Sequence, residues 1–361
     1  MRKSIGILLA IVLTSSLTSF SQTQANPTSD QSKLVLVKTI SGNISPKSVK
    51  SSGTGLVSAH NMMYRHSVTL YDSNTQELLK TIPDSVRLSD FGFTKYSGLY
   101  RGSPVEGSFS PDGKYLYVTN YAMYGKGFNK EGHDICSPAN GYDSSFVYRI
   151  NLTNFKIDGV YAVGSVPKVI EVTPDNKYVL VTNWCSYTLD IISIEKQKRI
   201  KSIKIGRYPR GIAISNDSTK AYIAEMGGSN IHVVDLQDFS KKLIPIGINP
   251  RAVVLSPDNS KMYVTLNMAG KVAAWDLISN KAIGLVKTGS AARSLAISSD
   301  GTALFVVNYK SGTVSKVRAS DLKVIQKIKA CVEPIGITYD EPTSRTWVAC
   351  YGGSIKVFDN R

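Results

Sequence analysis

The amino-acid sequence predicts an all-β fold, a seven-bladed β-propeller closed by an N-terminal strand that completes the last blade. Two observations predict it: an anchor residue, usually proline, that recurs at a fixed interval, and four short strands within each interval. From Pro167 onward the anchors are separated by 42, 41, 42 and 42 residues. The seven anchor positions are Pro46, Pro104, Pro167, Pro209, Pro250, Ala292 and Pro334.

A turn motif follows most anchors. An aspartate lies eight residues after five of the anchors, in a context such as Ser-Pro-Asp-Gly. Proline presets the first turn dihedral, and Asp, Asn or Gly suits the next positions, so these segments predict tight hairpins. We therefore expect a structural role for Asp112, Asp175, Asp217, Asp258 and Asp300.

Each repeat contains four segments rich in β-branched and aromatic residues with turn formers between them. In the fourth repeat these segments are residues 211–215, 221–225, 231–235 and 242–246. The last repeat stops after its third strand, at residues 354–358, whereas a strand at residues 34–40 precedes the first anchor without partners. Pairing these two edges would close the ring.

The strand after each turn ends in a recurring tetrapeptide. It occurs as Tyr117-Val118-Thr119-Asn120, Leu180-Val181-Thr182-Asn183, Tyr263-Val264-Thr265-Leu266 and Phe305-Val306-Val307-Asn308. These repeats resemble the bacterial and archaeal YVTN β-propeller family over nearly the whole chain after the leader. The resemblance implies the fold. It does not select a function, because such propellers include surface-layer proteins, binding proteins and lactonase-like enzymes.

The segment from Met1 to Ala25 resembles a secretory signal peptide. Arg2 and Lys3 precede an apolar run at residues 5–13, and a polar segment ends at Ala25. The run is too short to span a bilayer. We expect an exported protein, periplasmic, cell-surface or secreted, without a transmembrane segment. Residues 26–33 are then a short linker and residues 34–361 a single propeller domain.

Four cysteines in an exported chain predict two disulfides. Because blade strands alternate in direction, all four cysteines should lie on one face. We favour the pairs Cys136–Cys185 and Cys331–Cys350. The alternative is that some of them are free thiols packed within the blades.

The chain is strongly basic. It has 43 Lys and Arg against 27 Asp and Glu, a formal charge of +16. Without Arg2 and Lys3 the charge is +14. This excess favours an anionic ligand or acidic partner: nucleic acid, an acidic glycan, lipid headgroups or an acidic protein. The alternative is a charge typical of its proteome.

Two intervals between anchors are long, the one from Pro46 to Pro104 and the one from Pro104 to Pro167. The extra chain fits within segments 84–103 and 121–145, here called the first and second insertions. Both should emerge on the face that carries the cysteines, here called the anchor face. Long insertions in a compact repeat are usually functional loops or disordered segments.

The residue directly after the anchor is cationic in five of the seven repeats. The innermost strand of a blade begins there, so these side chains should surround the mouth of the central channel. Converging cations can bind an anion, since Arg presents a planar fork suited to carboxylate or phosphate. The alternative is pairing with backbone carbonyls or carboxylates such as Glu171. We name these five residues the cation ring: Lys47, Lys168, Arg210, Arg251 and Arg293.

A second series lies seventeen residues after the anchor. Its aromatic members, here called the aromatic series, are Tyr121, Trp184, Tyr309 and Tyr351, with Met226 and Asn267 at two further positions. Aromatic rings among cations suit single-stranded nucleic acid or sugars, on which they stack. The alternative is that these rings pack between adjacent blades.

Catalytic and metal-binding motifs are absent from the sequence. Nucleophile elbows, phosphate loops, zinc motifs, calcium loops and haem-attachment Cys-x-x-Cys-His motifs are not found. The histidines His60, His66, His133 and His232 show no ligand spacing. We therefore predict no catalytic residues, no metal and no cofactor. Near the channel mouth, the candidate general bases are Glu106, Glu171, Glu225 and His60.

Three functions remain open at this point. The first is a binding or scaffold protein for an anionic ligand or acidic partner on the basic, aromatic-lined anchor face. The second is a lactonase-like hydrolase of a small anionic substrate at the channel mouth. The third is a cell-surface scaffold that contacts other proteins through its outer strands.

Overall fold

The structure, a computed structural model, describes residues 28–360, and the signal peptide expected at residues 1–25 lies outside the described residues. The described residues form thirty strands arranged in seven four-stranded sheets and one two-stranded sheet. Two single 3-10 turns, at Leu88–Phe91 and Pro138–Asn140, are the helical segments among them. The predicted all-β, seven-bladed propeller is confirmed.

The strands are numbered in chain order. Those up to the end of the second blade are β1 Val35–Ser41, β2 Ser48–Ser51, β3 Leu56–Asn61, β4 Ser67–Asp72, β5 Leu78–Pro83, β6 Ser85–Arg87, β7 Leu99–Arg101, β8 Pro104–Phe109, β9 Tyr115–Asn120, β10 Ser145–Asn151 and β11 Lys156–Val163. The third and fourth blades contain β12 Pro167–Val172, β13 Tyr178–Asn183, β14 Thr188–Ser193, β15 Lys198–Lys204, β16 Pro209–Ile214, β17 Lys220–Glu225, β18 Asn230–Asp235 and β19 Lys241–Pro245. The remaining strands are β20 Pro250–Leu255, β21 Lys261–Leu266, β22 Lys271–Asp276, β23 Lys281–Lys287, β24 Ala292–Ile297, β25 Ala303–Asn308, β26 Thr313–Arg318, β27 Lys323–Lys329, β28 Pro334–Asp340, β29 Arg345–Cys350 and β30 Ser354–Asp359.

Each blade is an antiparallel sheet. Blade 1 is β2–β5, blade 2 is β8–β11, and blades 3 to 6 follow in groups of four strands. Blade 7 contains β28, β29 and β30, and its outer strand is β1 from the start of the chain. The pairing runs from Val35 opposite Asp359 to Ser41 opposite Ser354. The N-terminal strand therefore closes the ring as predicted.

The second strand of a blade is the most deeply buried. All six residues of β25 are buried, because other blades pack against both faces of the sheet. The outer strand β23 instead alternates between exposed and half-buried residues. A continuous apolar run and a period-two pattern are what these two environments require. The core is thus a set of apolar layers between neighbouring blades.

The aspartates after the anchors hold the hairpins together. Ser110 Oγ donates to Asp112 Oδ1 at 2.6 Å, and the Lys114 N–H donates to the same oxygen at 3.1 Å. Ser256 and Asp258 repeat this arrangement at 2.5 Å. These bonds confirm a structural role for the aspartates. The turns mark the side of the propeller opposite the anchor face, here called the turn face.

The two insertions pack on each other. The rings of Tyr96 in the first insertion and Phe128 in the second are stacked, with centroids 4.8 Å apart. Tyr100 Oη also donates to the carbonyl of Lys126 at 3.1 Å. Both contacts join the insertions into one layer over blades 1 and 2.

Two disulfides are present, Cys136–Cys185 and Cys331–Cys350. They are the pairs favoured from the sequence. The first ties the second insertion to blade 3, and the second ties the start of blade 7 to the end of its second strand. Within residues 28–360, no helix is long and apolar enough to cross a membrane.

Candidate functional site

The first strands of the seven blades lie next to one another around the centre of the propeller. Contacts link β2 to β8, β8 to β12, β12 to β16 and so on, until β28 meets β2 again. These strands enclose the central channel. Side chains at the start of the first strands therefore meet at its anchor end.

A backbone irregularity accompanies four of the five ring cations. In blade 4 the register between β16 and β17 is interrupted between Pro209 and Ile212, which leaves Arg210 outside the regular ladder. The same interruption follows the anchors of blades 3, 5 and 6. A bulge of this kind re-aims a side chain at the rim of a sheet. The two apolar positions of the series, Val105 and Ile335, are buried.

The residue before each of five neighbouring anchors adopts a left-handed backbone conformation. Its φ is 54° at Val166, 57° at Tyr208, 56° at Asn249, 57° at Ala291 and 53° at Glu333. This region is unfavourable for a β-branched residue such as valine. The surrounding structure must hold this strain, and strained backbone is concentrated at functional sites.

The recurring tetrapeptide fixes the backbone of the ring. Thr119 Oγ1 donates to the carbonyl of Lys168 at 2.8 Å, and Thr182 Oγ1 donates to that of Arg210 at 2.9 Å. Thr265 Oγ1 makes the equivalent bond to Arg293 at 2.8 Å. In each case the threonine belongs to the preceding blade. The repeat motif thus fixes the backbone of three of the five ring cations, a role that sequence reasoning missed.

Three ring cations lie over rings of the aromatic series. Arg293 Cζ is 3.4 Å from the ring centroid of Tyr309. Lys47 Nζ is 5.2 Å from that of Tyr351. Lys168 Nζ lies 4.2 Å from the ring of Tyr121 and 5.2 Å from that of Trp184. These ring faces therefore contact cations.

Trp184 and Met226 make further contacts around the cation ring. Trp184 also stacks on Tyr208, with centroids 4.4 Å apart. Arg251 Nη1 lies 3.6 Å from Met226 Sδ. The aromatic series thus surrounds the cation ring, and its stacking on a nucleic acid or sugar stays a prediction.

The carboxylates around the ring are fewer than the cations. Asp134 Oδ1 is 3.6 Å from Lys168 Nζ, and Glu106 Oε1 is 3.9 Å from Arg210 Nη2. The charge of Glu333 also favours the charged form of Arg293. Burial opposes ionisation of Asp134, but Lys168, Lys47 and Arg210 together hold its pKa below the usual range. Positive charge is left in excess at this end of the channel.

The ring combines deep burial with unpaired donors. Lys168, Arg210 and Arg251 are 3%, 6% and 6% exposed. Within residues 28–360, the Nε atoms of Arg251 and Arg293 are buried without a partner. Unpaired buried charge is costly unless another group compensates it.

The pKa values of two ring cations reflect the same free-energy cost of burying positive charge. Burial, followed by repulsion from Arg210 and Arg293, lowers the pKa of Arg251 well below its usual range. Because arginine stays protonated in proteins, this direction means that the folded chain carries a destabilising charge. Burial, with Arg210 and Lys47 nearby, likewise lowers the pKa of Lys168 well below its usual range.

A cavity of about 730 Å³ runs along the channel. Arg210, Arg251 and Arg293 line its anchor end. The second insertion is held beside that end, because the indole N–H of Trp184 donates to the carbonyl of Asp134 at 3.0 Å and the Cys136–Cys185 disulfide follows directly. Three of the five ring cations therefore line the cavity, whereas the sequence analysis had placed all five around the mouth of the channel.

The other candidate bases lie apart from one another. Glu171 is paired with Lys50 at 2.5 Å on the channel wall. Glu225 is paired with His232 at 3.1 Å inside blade 4. His60 is fully buried, its Nδ1 is hydrogen-bonded to Ser48 at 2.7 Å, and burial lowers its pKa to about 3. Only Glu106 lies beside the cation ring.

The remaining histidines belong to the insertions and their surroundings. His66 Nδ1 donates to the carbonyl of Gly102 at 2.9 Å and lies 3.3 Å from Asp84. Burial raises the pKa of Asp84 to about 6. His133 is exposed, and its ring contacts that of Tyr142. No group of three or more His, Cys, Asp or Glu residues in the described part of the chain could hold a metal ion.

Comparisons with known proteins support the fold. The model of the cytochrome D1 heme domain family matches residues 251–352, less than a third of the 361 residues. A solved structure titled Kuenenia stuttgartiensis Hydrazine Synthase is similar with a TM-score of 0.68 and 16% sequence identity, over 88% of this chain and 96% of that chain. A search of curated proteins gives no match. The YVTN family stays a prediction.

The partial family match raises the question of a haem. A haem iron takes an axial ligand such as His, Met, Cys or Tyr. The residues that line the channel cavity include no His, Met or Cys, and the lining Tyr339 stacks on Phe305 with centroids 5.5 Å apart. His60 is blocked by Gly107, where an added Cβ would lie 2.1 Å from Nε2. The residues that line the channel cavity therefore offer no free axial ligand for a haem.

Proposed function

We propose that this protein is a binding protein that holds an anionic group at the cation ring, inside the anchor end of its central channel. The observation that carries the proposal is the cluster of five buried or half-buried cations at one end of the channel, three of which line the cavity, with too few carboxylates to balance them. Guanidinium groups with unpaired N–H donors suit a carboxylate or phosphate. A bound anion would supply the compensation that the protein lacks.

The burial of the ring favours a small ligand. Lys168, Arg210 and Arg251 are almost entirely buried, so a polymer lying across the anchor face would not reach them. This argues against nucleic acid or an acidic glycan as the partner of the ring. It leaves a compact anion, or the acidic end of a larger molecule, as the ligand.

We also propose that the protein acts outside the cytoplasm. Two disulfides are typical of an oxidising compartment. The expected signal peptide at residues 1–25 agrees with this location.

The test is anion binding measured by isothermal titration calorimetry with phosphate, citrate and benzoate. We expect Arg251→Met to bind at least about tenfold more weakly, since a hydrogen bond to a charged group contributes roughly 1.5–3 kcal/mol. The same substitution should raise the melting temperature of the anion-free protein, because it removes an uncompensated buried charge.

Lys281→Met is the matched control, since Lys281 is exposed on the outer strand β23. It removes one positive charge far from the channel and should leave affinity unchanged. Failure of every anion to bind, or equal affinity in Arg251→Met and the wild type, would contradict the proposal.

A second candidate is the lactonase-like hydrolase. One observation favours it: Glu106 lines the cavity beside Arg210, and its burial raises its pKa although Arg210 offsets part of the effect. A carboxylate with a raised pKa is suited to general-base catalysis near neutral pH. Turnover of a lactone panel that is lost in Glu106→Gln would establish this function. No turnover would remove it.

A further inference from the structure

The cavity extends from the cation ring to the turn face. Its far end is lined by turn residues of several blades, among them Pro174, Asn216 and Pro257. These three residues are exposed, whereas Arg251 at the other end is buried. The channel is therefore open at the turn face. A ligand can reach the ring from the turn face along the cavity.

One wall of this channel is apolar. Between the ring and the turns, blades 4 and 5 line the cavity with half-buried Ala213, Ile214, Ala252, Val254 and Leu255. Each of these side chains packs against a core cluster and keeps part of its surface toward the channel. Apolar surface left open in a channel favours an apolar ligand group.

The opposite wall is polar and is already neutralised. Lys50 and Glu171 form an ion pair at 2.5 Å, and Ser108 Oγ donates to the second oxygen of Glu171 at 2.9 Å. These groups satisfy one another across blades 1, 2 and 3. They leave no excess charge along the middle of the channel, in contrast to the ring.

We propose that the ligand is a carboxylate with an apolar body, whose carboxylate is held by Arg251 and Arg293 and whose body lies along the apolar wall toward the turn face. This inference rests on the proposed anion-binding function. It specifies that the ligand has an apolar body. A compact hydrophilic anion such as phosphate, which has the same charge chemistry, is the competing ligand.

The experiment is a calorimetric titration with straight-chain carboxylates from acetate to decanoate. We expect affinity to rise about fourfold with each added methylene, until the chain emerges at the turn face. If acetate and octanoate bind with the same affinity, the proposal that the ligand has an apolar body is overturned, whereas the anion-binding function is not. Absence of binding by every carboxylate and by phosphate would overturn both.

Two variants locate the body of the ligand. Val254→Thr keeps the shape of the wall and adds a hydroxyl, so it should weaken octanoate several-fold and leave acetate unchanged. Ala213→Ser provides the same comparison if the first variant folds poorly. Leu285→Thr, at an exposed position of outer strand β23, is the control and should change neither affinity. Equal effects on acetate and octanoate would contradict the proposed position.

Discussion

Lys47 is a ring cation whose surroundings lower its pKa toward neutral pH. Burial, and then repulsion from Arg210, Arg251 and Arg293, lowers its pKa from 10.5 to about 7. In the unfolded chain the amine stays protonated up to about 10.5. The loss of folding stability caused by the buried charge is therefore fully present below pH 7. It decreases as the pH rises from about 7 toward 10.5.

This shift predicts how anion binding depends on pH. An anion binds best to protonated Lys47, so affinity should fall by about tenfold between pH 6 and pH 9. Binding at pH 8 should take up a proton, which appears as a dependence of the calorimetric enthalpy on the buffer. In Lys47→Arg the charge at this position persists, so affinity should fall less steeply with pH than in the wild type, with Lys168 as the remaining ring amine whose pKa is lowered. Wild-type affinity that does not change with pH would contradict the assignment.

At the residue scale, the sequence predicts which side chains form the ring but not how they are held. The spacing after each anchor identifies Arg210 and its equivalents because repeats place equivalent residues at equivalent heights. Spacing gives no information about a register shift, about the left-handed Val166, or about the bond from Thr182 to the carbonyl of Arg210. These features depend on contacts between neighbouring blades.

Among the elements, the second insertion is held next to the ring. It is tied to blade 3 by the Cys136–Cys185 disulfide, and Tyr187 Oη donates to the carbonyl of Cys136 at 2.5 Å. Two residues before Cys136, Asp134 faces Lys168. The disulfide therefore keeps a carboxylate and the chain around it over the anchor end of the channel.

Replacing Cys136 and Cys185 by serine should release this loop. We expect trypsin to cleave after Lys126 and Lys130 at least about tenfold faster than in the wild type, because local opening exposes the chain. In the chain-entropy description, the loss of this disulfide, with its sequence separation of 49, costs about 4 kcal/mol of stability. Peptide mapping by mass spectrometry measures the two cleavages.

The paired serine variant of Cys331 and Cys350 is the matched control. Its sequence separation of 19 corresponds to about 3 kcal/mol in the same description, a similar loss of stability. This variant should leave cleavage after Lys126 and Lys130 unchanged, since the Cys331–Cys350 disulfide lies in blade 7. Equal acceleration in both variants would show that general destabilisation, rather than release of the second insertion, is responsible.

The positions of the insertions were predictable, whereas their contact was not. The long intervals before Pro104 and before Pro167 show where extra chain leaves the repeat. The stacking of Tyr96 on Phe128 joins two loops that have no periodic pattern. Without a period, a sequence does not indicate which aromatic residues meet.

For the whole molecule, stability depends on the closure of the ring by β1. This strand pairs with β30, and Lys316 Nζ donates to the carbonyl of Ser32 at 2.6 Å just before it. Removing residues 28–41 would leave β30 as an unpaired edge, which promotes association with other chains. We expect the truncated protein to melt roughly 10 °C or more below the full chain.

A synthetic peptide of residues 33–42 tests this prediction directly. Added to the truncated protein, it should restore most of the melting temperature, because it can supply the missing strand to the edge of blade 7. A peptide of the same composition in scrambled order is the control and should not. A truncated protein that melts like the full chain would contradict closure by β1.

The whole fold was predictable because each repeat is one structural unit with a constant period. The function was less predictable, since the same motif builds propellers that serve many purposes. The sequence placed the ring of cations around the mouth of the central channel. In the structure Lys168, Arg210 and Arg251 are buried there. Their burial depends on how neighbouring blades and loops pack, and no spacing in the repeat encodes this.

The most direct test of the account is an anomalous-scattering measurement on crystals soaked with selenate, a compact anion whose position can be identified by its signal. We predict a peak at the anchor end of the channel, within about 3 Å of the guanidinium groups of Arg251 and Arg293. The peak should be absent from crystals of Arg251→Met and present in those of Lys281→Met. A channel without a peak, or a peak that persists in Arg251→Met, would contradict anion binding at the cation ring.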